Sequence, residues 1–181
     1  MGFTVGVVDT YLDLLDSQRE STFTALEDFT VERIWSPPSP KEWSIGQLLN
    51  HNYLLIASTM PYVNMAWRYF HKHGERNRNR PYKTEIVDVY REPKFPMWVG
   101  FLWKPKYSDK NPVPLETLKK EIRALHAEVR AFYSGKEEDI LGNVFVYDPL
   151  FGRLNLIVTL RIGIYHDQLH YDDILKMTGG N

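Results

Sequence analysis

The sequence predicts an all-α fold: a four-helix bundle with a long crossover between helices 2 and 3. Three observations predict it. Apolar residues recur at three-and-four spacing in four separate segments. Capping signals mark where two of those segments begin. A proline-rich stretch over 74–113 separates the second segment from the third. At 181 residues and 43% hydrophobic, the chain is long enough for one compact domain and too short for two, so 1–181 is read as a single helical bundle domain.

The first helix is expected from Val8 to about Phe29, with Tyr11, Leu12, Leu15, Phe23 and Leu26 on the same face. Pro37, Pro38 and Pro40 then turn the chain. Ser44 and Gln47 have the spacing of a capping box, and Trp43 and Leu48 that of a hydrophobic staple. The second helix should therefore start at Ser44, and it continues to roughly His71, with Pro61 as a kink site. Residues 74–113 carry the charged stretch GERNRNRPYK and the aromatic stretch FPMWVGFLWKP, and a connection of this length needs local structure or a task. Pro114 can open the third helix at its first turn, with Leu118, Ile122, Leu125 and Val129 in its stripe, and Gly135 stops it. VFVY at 144–147 is a weak strand signal. After DPLFG at 148–152, Asn155 can cap the fourth helix, in which Leu156, Leu160, Gly163, His166, His170 and Ile174 share one side.

Charge and composition exclude several classes of function. Lys plus Arg number 22 against 23 Asp plus Glu, so no global basic field draws the chain to nucleic acid or an anionic membrane. Arg76, Arg78, Arg80 and Lys83 form only a local cluster, which a solvated loop explains. With no cysteine, disulfides, thiolate metal sites and cysteine nucleophiles are all absent, so any metal must use His, Asp or Glu. The opening MGFTVGVVDT does not resemble a secretory signal, and no apolar run approaches the ~18 residues that span a bilayer. A soluble, cytoplasmic protein is expected, with a small-molecule substrate and neither nucleic acid nor membrane as partner.

The histidines carry the sharpest signal. His166 and His170 lie one helical turn apart on one face and can converge on a single ion. Spacing alone is weak, because six histidines in this chain give about 0.2 such pairs by chance. His51 supplies the third donor: with Leu48 three positions before it and Leu55 four after, it points inward from the second helix. Three neutral imidazoles leave part of a divalent ion open to a water or thiol, whose pKa it lowers. Zinc and nickel suit such ligands. Asp167 either orients a histidine or touches bound water, or else it is only a polar residue beside the stripe. Asp172 and Asp173 read as solvated. His126, on the third helix, fits a flanking polar role, with pocket lining or a fourth ligand as alternatives. His71 and His73 are expected to be exposed. A zinc-protease mechanism does not fit, because no His or Glu follows His170.

WSIGQLLNH at 43–51, the DPLFGRLNL entry to the last helix and YHDQLHYDDILK at 165–176 together resemble the DinB-like (YfiT-like) superfamily of metal-dependent proteins. Carried over residue by residue, the family's three metal-binding histidines fall on His51, His166 and His170. The resemblance also implies parallel second and third helices joined by a crossing that spans the bundle, and a homodimer. Some members act as transferases or isomerases that use a low-molecular-weight thiol. Two functions follow as expectations: a metal-dependent enzyme of the thiol S-transferase or hydrolase type, or a non-catalytic metal-binding, stress-response bundle. In the first, Phe95, Trp98, Phe101 and Trp103 either cover the pocket or pack the crossover onto the bundle, or form a dimer contact.

Overall fold

The computed structural model describes residues 6–92, 96, 100 and 102–179. Four long helices form the body: α1 (Val7–Ala25), α3 (Ile45–Arg76), α4 (Leu115–Tyr133) and α6 (Leu156–Met177). Two short helices, α2 (Val31–Trp35) and α5 (Glu138–Leu141), and a hairpin of β1 (Phe145–Asp148) and β2 (Gly152–Asn155) fill the connections. The fold is thus the expected all-α bundle. Among the described residues, no helix is long and apolar enough to cross a membrane.

Two groups of buried side chains fix the direction of each helix. At one end, Leu48 and Leu49 near the start of α3 pack with Leu118 and Ile122 near the start of α4. The same cluster holds Phe23 late in α1 and Ile174 late in α6. At the other end, Val63 and Ala66 of α3 pack with Val129 and Tyr133 of α4 and with the early residues Val8, Leu12, Leu156 and Leu160 of α1 and α6. Hence α3 and α4 run parallel to each other, α1 and α6 run parallel to each other, and the two pairs are opposed. A parallel pair of consecutive helices requires the chain to travel back the length of the bundle between them.

The connection does so along α3. Thr84 accepts a hydrogen bond from the Tyr11 hydroxyl at 2.9 Å, beside the start of α1. Trp103 Nε1 then donates to Ser58 Oγ at 2.6 Å, the Lys106 amide to Asn50 Oδ1 at 2.8 Å, and Trp35 Nε1 to the Val113 carbonyl at 2.9 Å. From Trp103 onward each later residue of the strap meets an earlier residue of the protein, so this part retraces α3 from near its middle to its start and beyond. Phe95, Trp98 and Phe101 lie outside the described residues.

Local signals account for most helix ends. The Gln47 amide donates to Ser44 Oγ at 3.3 Å and the Ser44 amide to Gln47 Oε1 at 2.9 Å, which completes the capping box. The ring of Trp35 presses on the first turn of α3 at Gly46, where a Cβ would lie 2.8 Å from ring carbons. Gly135, with φ of 75°, ends the turn after α4.

Four details depart from the expectations. The first helix stops at Ala25, and Leu26, still buried, begins a turn that leads into α2. The second helix runs past His71 to Arg76, with Pro61 inside it on an exposed face. Pro114 occupies the cap position of α4, one residue before the helix, with extended ψ of 141°. The doubtful strand is real, because Phe145 to Asp148 pair antiparallel with Asn155 to Gly152.

Asn155 joins three of these elements. It closes the hairpin opposite Phe145, its Oδ1 accepts from the Val158 amide at 2.9 Å, and its Nδ2 donates to the Lys83 carbonyl at 2.8 Å. Asn155→Ala is expected to remove both a helix cap and the tie to the strap, lowering stability by about 2 kcal/mol in urea unfolding.

Candidate metal centre

His51 sits two turns into α3, and His166 and His170 sit one turn apart in α6. All three are buried, at 1%, 5% and 8% exposure. One nitrogen from each lies within 4.8 Å of the others, and His51 Nε2 is 3.1 Å from His166 Nε2. Two nitrogens sharing a zinc ion at tetrahedral angles are roughly 3.3 Å apart. The three residues that spacing and burial single out in the sequence are therefore brought together.

The strap sets the protonation of the first ring. His51 Nδ1 is 2.9 Å from the Trp103 carbonyl oxygen, which can only accept, so Nδ1 carries the proton and Nε2 presents its lone pair to His166. The Trp43 ring flanks the same imidazole at 4.8 Å between centroids, and Tyr90 meets His166 at 5.4 Å. The donor set, the tautomer and the spacing all fit a divalent cation. Among the described residues, no fourth His, Asp or Glu joins the group. A cavity of about 190 Å³ opens beside all three rings.

A model of the DinB superfamily matches residues 14–174. The chain belongs to the DinB superfamily. No curated protein sequence matches it. Among solved structures, YfiT from Bacillus subtilis superposes with a TM-score of 0.57 at 13% sequence identity, over 100% of this chain and 94% of YfiT. YfiT is described as a probable metal-dependent hydrolase with an unusual four-helix bundle topology. At that identity the likeness establishes the fold, including its four-helix bundle.

In this DinB-superfamily chain, burial dominates the electrostatics of the site. It pushes His51 down to about 4, with the neighbouring His166 adding to the effect and the Trp103 carbonyl opposing it. It pushes His170 down to about 2, again reinforced by His166 and by His51. Both rings are consequently neutral at pH 7, the form in which imidazole binds a metal.

Asp167 behaves differently from a residue beside the stripe. It is fully buried, with Oδ2 3.3 Å from His126 Nε2 on α4 and Oδ1 4.0 Å from His166 Nδ1. Burial works to raise its carboxyl, but His126 and His166 outweigh that and hold it below the usual carboxylate range. The contact with His126 has the length of a hydrogen bond but not the alignment, since neither ring nitrogen of His126 is properly paired among the described residues. It is an electrostatic contact. His126 thus stands behind the three histidines, facing Asp167, and is no fourth ligand.

The remaining candidates are placed elsewhere. His71 is half-buried, stacked on Trp67 with its Nδ1 donating to the Trp67 carbonyl at 3.0 Å, while His73 is exposed. Arg78 pairs with Glu137 and Asp139, and Arg76, Arg80 and Lys83 are exposed. Asp172 pairs with Arg91 and Asp173 with Lys176 at the surface. The Trp103 carbonyl is the contributor that sequence reasoning misses, because a backbone group leaves no trace in residue identity.

The lowered histidine values give a pH dependence with a definite sign. The unfolded chain titrates these rings near 6.5 and takes up protons that the folded chain refuses, so stability is fully present above 6.5 and falls as pH drops towards 4. For metal-free protein, each ring is expected to cost about 2 kcal/mol by pH 5 relative to pH 8. Urea unfolding at both pH values checks this, and His51→Gln should remove about half of the difference.

Proposed function

We propose that His51, His166 and His170 hold a divalent cation, zinc or nickel, and that the protein is a metal-dependent enzyme of the hydrolase or thiol-transferase type acting on a small molecule. The observation that carries this is the His51 Nε2 to His166 Nε2 approach of 3.1 Å, with the His51 proton pinned on the Trp103 carbonyl. The His51 Nε2 lone pair at that distance needs either a proton on His166 Nε2 or a shared cation between the two rings. The description of YfiT as a probable metal-dependent hydrolase supports the same direction.

A divalent ion held by three imidazoles supplies a Lewis acid with an open position, which activates a water or a thiol near neutral pH. This chain's own residues do the rest. Trp103 and Trp43 fix the His51 ring, Asp167 places a negative charge behind His166, and the cavity offers a water-poor space beside all three rings. Trp103 is bonded to α3 through both its indole and its carbonyl, which favours a packed strap over a swinging cover. The family resemblance adds a low-molecular-weight thiol as co-substrate and homodimeric assembly, and the length of the chain adds its action as one domain.

Elemental analysis of protein purified without a metal-affinity tag tests the site directly. About one divalent ion per chain is expected in the wild type, falling at least tenfold in His51→Ala and His166→Ala but not in His73→Ala. Wild-type levels of metal in both core variants would remove the proposal.

A further inference from the structure

The cavity beside the histidines is bounded by α3 and α6 and reaches Val129 and Tyr133 on α4 and Leu15 on α1. Its walls have a preference of their own. Three hydroxyl hydrogens in them are already committed: Thr59 Oγ1 donates to the Leu55 carbonyl at 2.9 Å, Thr159 Oγ1 to the Asn155 carbonyl at 2.8 Å, and the Tyr133 hydroxyl to the Leu156 carbonyl at 2.9 Å. Asp148, the only lining carboxylate among the described residues, accepts from the Leu150 and Phe151 amides at 2.7 and 3.0 Å within the hairpin turn. No Lys or Arg lines the cavity among the described residues. An anionic group entering this space away from the histidines would lose its hydration and find no cationic side chain among the described residues.

Gly163 sharpens the picture. It sits inside α6, where glycine weakens a helix relative to alanine. A Cβ built there meets nothing within 4 Å, so no neighbour requires the residue to be so small. The space it leaves belongs to the cavity wall, three residues before His166. On size, the volume of about 190 Å³ exceeds the ~150 Å³ of an engineered apolar cavity that binds benzene.

We propose that this cavity selects a substrate with an uncharged hydrocarbon body, about one aromatic ring with a short substituent, and a single polar end at the three histidines, and that Gly163 sets the length admitted. The position of the polar end rests on the metal reading above. The preference of the walls does not. Molecules with a second, anionic end are rejected by desolvation, and those with a bulkier body by the wall at Gly163.

Three probes test this by calorimetric or NMR titration of the full chain with zinc added: toluene, 4-methylbenzoate and terephthalate. Toluene and 4-methylbenzoate are expected to bind, and terephthalate, which differs from 4-methylbenzoate by a charge at the far end, to bind at least ~100-fold more weakly. Gly163→Leu should weaken toluene about tenfold or more while zinc content stays unchanged. Gly163→Ala guards against a folding defect: its Tm should rise by about 2–4 °C while toluene binding falls several-fold. Should the chain take up no zinc while toluene binding still depends on position 163, the metal reading fails and the assignment of the walls stands. Equal binding of terephthalate and 4-methylbenzoate to the zinc form, or toluene binding unaffected by either substitution at Gly163, overturns the inference.

Discussion

Three imidazoles packed against one another in a bundle core form the constraint that the surrounding structure answers. Their ring centroids lie 4.7 to 5.0 Å apart, so the three rings are in direct packing contact. Each buried ring nitrogen carries a desolvation cost unless something satisfies it. One is met by a backbone carbonyl carried in by the strap, and the facing nitrogens are arranged to share a single partner. Burial keeps His51 and His170 neutral, so the same low polarity that makes these two rings expensive to bury makes them ready to ligate.

The parallel course of α3 and α4 follows from that requirement as much as it permits it. A short loop between them would force them antiparallel and leave no segment to run beside His51. The strap that lets them run parallel brings Trp103 to Ser58 and Asn50 to Lys106, and places an acceptor behind the imidazole. On the opposite side of the site, Asp167 and His126 form a second buried polar layer that links α6 to α4. Topology and site chemistry are therefore two descriptions of one arrangement in this superfamily member.

Much of this was legible in the sequence where local rules govern. Ser44 with Gln47, and Asn155 alone, mark helix starts because capping involves neighbours three residues apart. His51 could be placed inward because Leu48 and Leu55 define its face, and His166 with His170 because helical spacing is fixed. The extent of α3 was less legible, since a proline on an exposed face, such as Pro61, does not have to end a helix whose other side is buried. The second hairpin strand was hidden because GRLN carries no period-two pattern and forms only through its pairing with Phe145 to Asp148. His126 and Asp167 could not be paired in advance: their contact joins two helices whose relative rotation is decided by the whole core.

The strap's attachments share a property with a kinetic consequence. Thr84, Trp103, Lys106 and Val113 bond to Tyr11, Ser58, Asn50 and Trp35, partners between 45 and 78 positions away in the chain. Such ties form only once distant helices are already in place, and they are few compared with the packed apolar surface of the body. Docking of the strap is therefore a late step of folding, and the acceptor for the His51 Nδ1 proton arrives only after the helices that carry the three histidines have packed.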